Sequence, residues 1–426
     1  MELILSLVLA ATASVVGPSG IELERLVDNS YDPPGIDGEF FIEVGPPVPC
    51  GDAVLFYGFT FDTPQFLGGY RATSTSVEVI ANAATPLPGS AGTFGLVLEF
   101  GCVRDRIFFI GAEGFGPSSS GPSVYSYSQG VIAPFLEAGT TIDGNQITGV
   151  GEIDANAGSV AAVASLVPPS TTQALVVKPL DGEPFIVADR TVVLPGQTDP
   201  VAFFTEPVLV GSDLVFLALS HLNVGIYHWS AGQGISIVAD TLSPVPAIGG
   251  AIFGSFDPSL ASLDYGVVFG AGYSGGFGLF VWRNGQVEPL IVPGDTTEDG
   301  QTIAATAAPS GAGSLLTFRA NTEEDPVVAI YVRTHDGRIR RILGFGDVIE
   351  GQTVSYIEAA ADRESVAIRI NRHSTPTDGT MDVIYRARFA EPNVIPALST
   401  PGVVALIFGL TMFGLWLLSR SRPVLR

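Results

Sequence analysis

Short runs of Val, Ile, Leu and Phe recur along this chain at intervals of about fifty residues, and Gly or Ser flanks most of them. Seven of these runs are five to seven residues long and form the most apolar stretch of their interval. Continuous apolar runs of this length predict β-strands that are buried on both faces. The runs cover residues 53–58, 107–111, 159–165, 213–219, 265–270, 314–320 and 365–370.

Two further β-rich stretches accompany each run. One precedes it and ends in Asp, Asn or Gly before a turn. The last residues of its copies are 29, 82, 139, 189, 240, 295 and 347, which are spaced 50 to 57 residues apart. The other stretch follows the run, as in Gly225–Trp229 and Gly278–Trp282. A weaker strand between the first stretch and the middle run completes four strands, and we expect the first stretch to be the innermost.

Seven units of about 52 residues, each with four short strands, are typical of a β-propeller. One four-stranded sheet cannot bury both of its faces, whereas sheets stacked around an axis bury each other. We therefore predict an all-β fold, a seven-bladed β-propeller of four-stranded blades, over residues 21–390. A tandem of β-sandwiches and a β-solenoid are the alternatives, although a solenoid needs a shorter and more regular repeat.

The N-terminal segment 1–20 has the apolar character of a secretory signal peptide. The small residues Ala11-Thr12-Ala13 form its cleavage motif, but Glu2 stands where a basic residue is usual. We predict a signal peptide over 1–20, and a buried first strand is the alternative.

The C-terminal segment is a second apolar region, since residues 402–418 carry no charge. Seventeen helical residues extend to roughly 26 Å, close to the thickness of a bilayer core. We predict a transmembrane helix over 402–419, with a helix of the protein core as the alternative. Arg420, Arg422 and Arg426 flank it and predict a cytoplasmic tail, 420–426, which leaves the propeller outside the cytoplasm.

The linker 391–401 and the residue after it contain the sequence IPALSTPG. This sequence resembles the IPTL-type C-terminal sorting signals of Gram-negative bacteria, which are related in layout to PEP-CTERM signals. The motif is kept at Ile395, Pro396, Leu398, Ser399 and Gly402. Ala397 stands where Thr is usual, and the resemblance covers about the last 32 residues. It implies sorting to the cell surface and processing by an exosortase-like enzyme.

The repeat unit resembles a group of bacterial extracellular tandem-repeat proteins whose blades carry a Gly-Asp turn after the first strand. Such a turn occurs in Val292-Pro-Gly-Asp295 and in Gly344-Phe-Gly-Asp347. This resemblance covers roughly residues 21–390 and implies a propeller at the cell surface. It implies no activity and no set of functional residues.

The charge and the cysteines narrow the function further. The formal net charge is −23, which excludes a nucleic-acid backbone as a partner but suits cations, basic partners or plain solubility.

The only cysteines are Cys50 and Cys102. A single pair in an exported protein predicts a disulfide, with two buried free thiols as the alternative.

The recurrent aspartates are the candidate metal ligands. Four units carry an aspartate at the equivalent position, namely Asp189, Asp240, Asp295 and Asp347. If their loops gather near the axis, the carboxylates offer oxygen ligands to Ca²⁺, the only cofactor that the sequence suggests. The alternative is a turn role, because Asp, Asn and Gly all suit turn geometry and Gly139 fills the equivalent position.

No sequence motif indicates catalysis. The chain has no HExxH pattern and no GxSxG elbow, although a Ser/His/Asp triad assembles only in space. Seven aromatic residues on the third stretches suit packing between blades or stacking on sugars. They are Tyr125, Tyr127, Tyr227, Trp229, Trp282, Tyr331 and Tyr385.

The predicted function is binding or display at the cell envelope, through loops at one end of the axis. The ligand would be a carbohydrate or a protein. One alternative is an extracellular polysaccharide hydrolase or lyase with acids at the central channel. The other is a structural matrix component.

Overall fold

The computed structural model describes residues 14–389, except Asn29, Gly35, 37–40, 61–66, Asp105, 115–120, 168–171, Leu222 and 374–379. Within this part of the chain every helix or strand is a β-strand, as the short apolar runs predict. The first two strands are β1 (Ser14–Val16) and β2 (Glu22–Asp28). The remaining thirty strands form, in chain order, seven antiparallel sheets that we call blades 1 to 7.

The first four blades contain the strands up to Asp240. Blade 1 consists of β3 (Glu43–Val44), β4 (Val48–Cys50), β5 (Ala53–Phe59), β6 (Leu67–Ala72) and β7 (Val77–Ala81). Blade 2 consists of β8 (Leu96–Val103), β9 (Arg106–Ala112), β10 (Ser123–Ser128) and β11 (Val131–Leu136). Blade 3 consists of β12 (Thr141–Ile142), β13 (Asn145–Ala155), β14 (Ser159–Val167), β15 (Thr172–Pro179) and β16 (Phe185–Asp189). Blade 4 consists of β17 (Phe203–Val210), β18 (Asp213–Leu219), β19 (Val224–Ser230) and β20 (Gly234–Asp240).

The last three blades complete the ring. Blade 5 consists of β21 (Phe253–Leu263), β22 (Gly266–Tyr273), β23 (Gly276–Arg283) and β24 (Gln286–Ile291). Blade 6 consists of β25 (Ile303–Ala312), β26 (Leu315–Thr322), β27 (Ala329–Arg333) and β28 (Ile339–Gly344). Blade 7 contains β29 (Val348–Ile349), β30 (Gln352–Ala361), β31 (Ser365–His373) and β32 (Thr380–Arg388), and it also takes in β1 and β2.

The fold is a seven-bladed β-propeller, as predicted. In blades 1 to 6 the strands follow one another in chain order from the axis outwards, and in blade 7 the N-terminal strands β2 and β1 come after β32. The first strands, not counting the two-residue strands β3, β12 and β29, contact their neighbours in a closed ring. These first strands are β4, β8, β13, β17, β21, β25 and β30. The seven apolar runs form the second strands, which are buried because neighbouring blades cover both of their faces.

The unit boundary that the sequence predicts is wrong by one strand. The stretch that ends in Asp, such as Val187–Asp189, is the fourth and outermost strand of its blade rather than the innermost. The weaker stretch that follows it forms the first strand of the next blade. Its apolar pattern is weak because the first strands contain polar residues, prolines and bulges at the axis.

The N-terminal strand closes the ring. Strand β2 pairs antiparallel with β32, and Arg25 lies opposite Tyr385. It is therefore the fourth strand of blade 7, after β30, β31 and β32. Strand β1 pairs with β2 in turn, so residues directly after the predicted cleavage motif form a hairpin with the propeller.

The hydrophobic core lies between adjacent blades. One cluster joins Phe108 and Ile110 of blade 2 to Val160 and Ala162 of blade 3. In five blades an aromatic residue of the second strand stacks on one of the third strand, with ring centroids 5.6 to 5.9 Å apart. The pairs are Phe56–Tyr70, Phe109–Tyr125, Phe216–Tyr227, Phe269–Phe280 and Phe318–Tyr331.

A disulfide joins Cys50 at the end of β4 to Cys102 in β8, with their Cα atoms 5.7 Å apart. It therefore links the first strands of blades 1 and 2. The two cysteines are 52 residues apart in sequence. A covalent loop of this length contributes about 4 kcal/mol to the free energy of unfolding in the chain-entropy description.

The predicted membrane segments lie mostly outside the described residues. The predicted sorting motif, the transmembrane helix 402–419 and the arginines after it lie there, as do the first thirteen residues of the predicted signal peptide. Among the residues that are described, no helix has the length and apolar character needed to cross a bilayer.

Candidate functional site

The central channel is the space enclosed by the ring of first strands. Each of these strands departs from regular pairing near its middle. In blade 1 the break lies between β3 and β4. In the other blades the pairing shifts at a bulge, near residues 99, 151, 206, 257, 308 and 355. A bulge redirects side chains, so the seven irregularities determine what faces the channel.

Prolines mark three of the bulges. Pro207, Pro258 and Pro309 lie 51 residues apart in blades 4, 5 and 6. Proline has no N–H for the ladder and is tolerated within a sheet only at edges or bulges. The residues before them are Glu206, Asp257 and Ala308, and Glu206 and Ala308 have positive φ angles of 51° and 50°.

Carboxylates occupy this region of four successive blades. Glu99 lies in β8, Glu152 and Asp154 in β13, Glu206 in β17 and Asp257 in β21. We call these five residues the acidic arc. The sequence interpretation missed them, although the dipeptides Glu206-Pro207 and Asp257-Pro258 repeat at the blade period and could have indicated a shared position.

Several members of the acidic arc bind the backbone of the next blade. The Glu206 N–H donates to Glu152 Oε2 at 2.7 Å, and the Thr205 hydroxyl lies 2.9 Å from the same oxygen. Each link crosses from blade 3 to blade 4. These carboxylates therefore satisfy the backbone donors that the bulges leave outside the ladder.

The same arrangement recurs further along the arc. Leu209 N–H donates to Asp154 Oδ2 at 2.7 Å, again from blade 4 to blade 3. Ala308 N–H of blade 6 donates to Asp257 Oδ2 of blade 5 at 3.0 Å. The acidic arc thus joins blades 3 to 4 and 5 to 6 through hydrogen bonds to charged acceptors, which are stronger than neutral ones.

The acidic arc has shifted pKa values. Burial and, after it, the nearby carboxylates of Glu152, Glu99, Asp257 and Asp154 together raise the pKa of Glu206 to about 8. Glu206 therefore keeps its proton at neutral pH. Crowded like charges favour this state because neutralising one carboxyl relieves the repulsion.

The pKa values of two other members of the arc are raised as well. Burial raises the pKa of Asp154 to about 6, against the opposing effect of its hydrogen bond from Leu209 N–H. Burial and the Glu152 carboxylate raise the pKa of Glu99. The Glu99 side chain is partly reachable by solvent, but the surrounding protein limits its hydration, and this is the larger cause.

The opposite side of the ring has mixed charge. In blade 7, Arg369 pairs with Glu43 at 3.0 Å and with Asp382 at 3.2 Å. Its guanidinium lies 5.4 Å from the ring centroid of Tyr356, and that of Arg319 in blade 6 lies 5.9 Å from the same ring. Positive charge thus stands on the side of blades 6 and 7, whereas blades 2 to 5 carry the acidic arc.

A groove of about 460 Å³ opens at the start of β21. Its lining is uncharged and contains the ring of Tyr273, the exposed side chain of Ile252 and several glycines. Ser255 is one of its lining residues, and Asp257 follows two positions later on the same strand. The groove and the acidic arc therefore share a first strand.

The predicted metal ligands serve their own turns. Thr191 N–H and its hydroxyl donate to Asp189 Oδ1 at 2.9 and 2.6 Å. Leu242 N–H and the Ser243 hydroxyl donate to Asp240 Oδ1 at 3.0 and 2.6 Å. These are Asx turns, the structural alternative that the sequence left open.

The other two aspartates occupy a later position of the same turn. Val292 N–H donates to Asp295 Oδ2 at 2.8 Å, and Gly344 N–H donates to Asp347 Oδ2 at 2.7 Å. Arg341 also pairs with Asp347 at 2.8 Å. In the described part of the chain no three His, Cys, Asp or Glu side chains are arranged to hold a metal ion. The structure thus does not assemble the four aspartates into the shared Ca²⁺ site.

The aromatic residues of the third strands pack between blades. Tyr125, Tyr227, Tyr331 and Tyr385 are each less than 5% exposed. Tyr127, Trp229 and Trp282 are half-buried. The packing role therefore holds for the four tyrosines, which are too enclosed to stack on a sugar.

Comparison with known proteins supports the architecture. No protein-family model and no curated protein sequence matches this chain. Among solved structures, it is similar to the β-propeller domain of the Trilobed protease from Pyrococcus furiosus, with a TM-score of 0.50 and 10% identity. That match covers 83% of this chain and 99% of the other.

A second similar structure is the acylaminoacyl peptidase of Pyrococcus horikoshii, with a TM-score of 0.49 and 11% identity over 78% of this chain and 51% of the peptidase. Likeness at this identity concerns the fold alone. The Pyrococcus furiosus domain is described as having an open velcro topology, whereas here β2 pairs with β32 and closes the ring. The chain is thus a β-propeller with a strand-closed seventh blade.

Proposed function

We propose that this protein is an exported, membrane-anchored propeller that binds a cationic ligand in its central channel at the surface of a Gram-negative cell. The acidic arc carries this proposal, because carboxylates of four successive blades gather on one side of the channel. Organic cations with several amino or guanidinium groups suit such an arc, since spaced carboxylates can each contact one group. The ligand class is a polyamine or a basic segment of a protein.

The groove beside the arc supports an amphipathic ligand. Tyr273 and Ile252 offer apolar contacts, and Asp257 lies on the same strand as Ser255 of the groove. A ligand whose apolar part occupies the groove would present its cationic part to the channel. The net charge of −23 favours the approach of such a ligand at low ionic strength.

Calorimetric titration with spermine tests the channel site. We expect Glu99→Gln to weaken binding about tenfold, which corresponds to about 1.4 kcal/mol for one lost charge contact. Between pH 7 and 9 the affinity should rise relative to that of Glu206→Gln, because Glu206 becomes ionised near pH 8, whereas the loss of protons from spermine itself affects both proteins equally. Glu137→Gln is the matched control, since it removes one exposed carboxylate outside the channel. Equal losses in both variants would mean that only overall charge attracts the probe.

Export and anchoring rest on the sequence of the two ends and need their own experiment. The full chain and a chain that stops at residue 389 should be expressed in a Gram-negative host. We expect the full chain in the membrane fraction, accessible to external protease in spheroplasts, and the shorter chain in the soluble periplasmic fraction. Recovery of both chains in the cytoplasm would contradict the proposal. Loss of the C-terminal segment in the mature form would support processing by an exosortase-like enzyme.

A polysaccharide hydrolase or lyase is the second candidate. It is favoured by Glu206, which keeps its proton to about pH 8 beside the carboxylates of Glu152 and Glu99. A protonated acid next to a carboxylate is the pair that general acid–base cleavage needs. If this function holds, Glu206→Gln lowers the release of reducing ends from a polysaccharide substrate by 100-fold or more. Unchanged release would exclude Glu206 as the acid.

A further inference from the structure

Three outer strands of blade 4 bring an aspartate, a histidine and a serine into one row. Asp213 begins β18, His228 lies in β19 and Ser236 lies in β20. His228 is directly opposite Ser236 in the pairing of β19 with β20. None of the three belongs to the acidic arc or to the recurrent turns.

The row is connected through the imidazole ring. His228 Nε2 lies 2.9 Å from Asp213 Oδ2, and His228 Nδ1 lies 3.5 Å from the Ser236 hydroxyl oxygen. Because a carboxylate oxygen accepts, Nε2 is the nitrogen that carries the proton. Nδ1 then presents its lone pair to the serine hydroxyl, whose oxygen also lies 3.4 Å from the His228 carbonyl oxygen. A general base thus stands beside a nucleophile whose proton has two acceptors.

The neighbouring blade holds the ring in place. Trp282 of blade 5 packs on His228, with ring centroids 4.6 Å apart and planes inclined by 41°. The His228 side chain is 12% exposed, whereas Ser236 is exposed. The base is thus fixed by packing and by Asp213, and the hydroxyl remains accessible to a reagent from solvent.

Ser236 lies on an edge strand of its blade. Strand β20 is the outermost strand of blade 4 and pairs only with β19 within the described sheet. Alternate backbone N–H groups of an edge strand point away from the sheet. Backbone donors of an edge strand are the kind of group that stabilises negative charge on a carbonyl oxygen.

We propose that Ser236 is a nucleophile activated by His228 and that it accepts acyl groups from activated esters. The serine oxygen bonds to the carbonyl carbon while its proton passes to His228 Nδ1. The bond from that carbon to the ester oxygen then breaks, and the alcohol leaves with the proton from His228. Water attacks the acyl-serine in the same way, which returns the hydroxyl and releases the acid. Asp213 is a positioning residue that holds the proton on Nε2.

Reaction with p-nitrophenyl acetate tests this activity. We expect a burst of about one equivalent of p-nitrophenolate per protein, and peptide mapping should find the acetyl group on Ser236. Ser236→Ala should abolish the burst. Acetyl groups distributed over several serines, or none on Ser236, would overturn the proposal.

The role of the base needs its own variants. His228→Gln should slow acetylation by roughly 100-fold, the usual contribution of a general base. His228→Ala should regain part of that rate when free imidazole is added, which a merely structural role would not explain. An unchanged rate in His228→Gln would overturn the proposal. Thermal melting followed by circular dichroism establishes that each variant is folded, and the location of the acetyl group in the unaltered protein decides the matter if a variant is not.

The positioning role of Asp213 has a spectroscopic signature. Its replacement by Asn offers an amide N–H to Nε2 and so moves the ring proton to Nδ1. The ¹⁵N chemical shifts of His228 should therefore exchange between its two nitrogens, and acetylation should slow by about tenfold or more. Ser126→Ala is the matched control. That serine lies on a third strand 3.4 Å from a backbone carbonyl and should leave the burst unchanged. Shifts that do not change in Asp213→Asn would contradict the assigned tautomer.

Discussion

Blade 4 contains a turn carboxylate and a bulge carboxylate whose surroundings differ in kind. Asp240 ends the fourth strand, and its Oδ1 accepts hydrogen bonds from Leu242 N–H and the Ser243 hydroxyl of the same turn. Glu206 lies in the bulge of the first strand, and the carboxylates around it belong to blades 2, 3 and 5. One carboxylate is therefore satisfied within three residues, and the other has an environment that only the closed ring assembles.

This difference separates structural from functional candidates. A turn aspartate is needed wherever the chain makes that turn, so it recurs along the sequence and its effect stays local. In blade 1 Asn82 fills the position, and its Oδ1 accepts from Ala84 N–H at 3.0 Å. The bulge carboxylate Glu206 is instead buried among carboxylates of other blades, and burial together with this crowding raises its pKa. A crowded, buried carboxylate destabilises the fold, and its presence there therefore suggests a function.

The largest change in the free energy of unfolding is expected from Glu206→Gln. The folded-state pKa of about 8 lies above the value of an unfolded chain, 4.5. The folded protein therefore binds one more proton than the unfolded chain between these pH values, and the free energy of unfolding falls as pH rises through the window. Above pH 8 the penalty is complete, on the order of 2–4 kcal/mol. The variant should be more stable than the original protein by about that amount at pH 9.

Urea denaturation at pH 5, 7 and 9 measures this difference. At pH 5 both proteins should unfold at similar urea concentrations, because Glu206 is protonated in the folded state and Gln resembles the neutral acid. Glu137→Gln, which removes an exposed carboxylate, should follow the original protein at all three values. A Glu206→Gln variant that is no more stable at pH 9 would show that Glu206 is not crowded.

The sequence allowed the architecture to be predicted because it depends on local and repeated signals. The run at 213–219 is apolar throughout, and it forms β18, which is buried on both faces. The seven repeat markers gave the blade number correctly. The strand order was wrong because nothing in a sequence says on which side of a turn a sheet begins. Only the pairing of β16 with β15 shows that Val187–Asp189 ends a blade.

The sites were harder to predict for a different physical reason. Asp189 and Asp240 stand out in the sequence because each turn needs the same geometry at the same spacing. Glu99, Glu152 and Glu206 lie in weakly patterned strands and come together only when the ring closes. The row around His228 depends on three strands in register, which no residue spacing reveals.

The next largest effect is expected from Asp240→Ala. It removes an acceptor that is 4% exposed and leaves Leu242 N–H without its partner. The free energy of unfolding should fall by about 2 kcal/mol, as for other buried hydrogen bonds to charged groups. Asp240→Asn should cost much less, because both hydrogen bonds that this carboxylate accepts from the described residues use Oδ1 and the amide oxygen replaces it. Spermine affinity should not change in either variant, and a loss of binding would remove the distinction between turn and bulge carboxylates.

A smaller loss of stability is expected from Asp257→Asn. Unlike the change of Asp240 to Asn, this change should lower the free energy of unfolding measurably. Ser259 N–H donates to Asp257 Oδ1 at 2.8 Å and Ala308 N–H donates to Oδ2 at 3.0 Å. An amide group has one oxygen, so one donor then faces an NH₂ group. We expect a loss of about 1 kcal/mol in urea denaturation. Equal stability of Asp257→Asn and the original protein would indicate that the link between blades 5 and 6 contributes little.

The smallest change in stability is expected from Glu152→Gln, although it should move the titration of Glu206. The amide oxygen of Gln can accept from Glu206 N–H and its NH₂ group can donate to the Thr205 hydroxyl, so the free energy of unfolding at pH 5 should change by less than about 0.5 kcal/mol.

The negative charge of Glu152 is a cause of the raised pKa of Glu206, and its removal should lower that pKa. The ¹³C shift of the Glu206 carboxyl, followed by NMR from pH 5 to 10, measures the change. Stability should then stop falling at a lower pH, because Glu206 ionises earlier in the folded protein. An unchanged midpoint would mean that burial alone sets the titration of Glu206, and the arc would be a set of separate carboxylates rather than one interacting group.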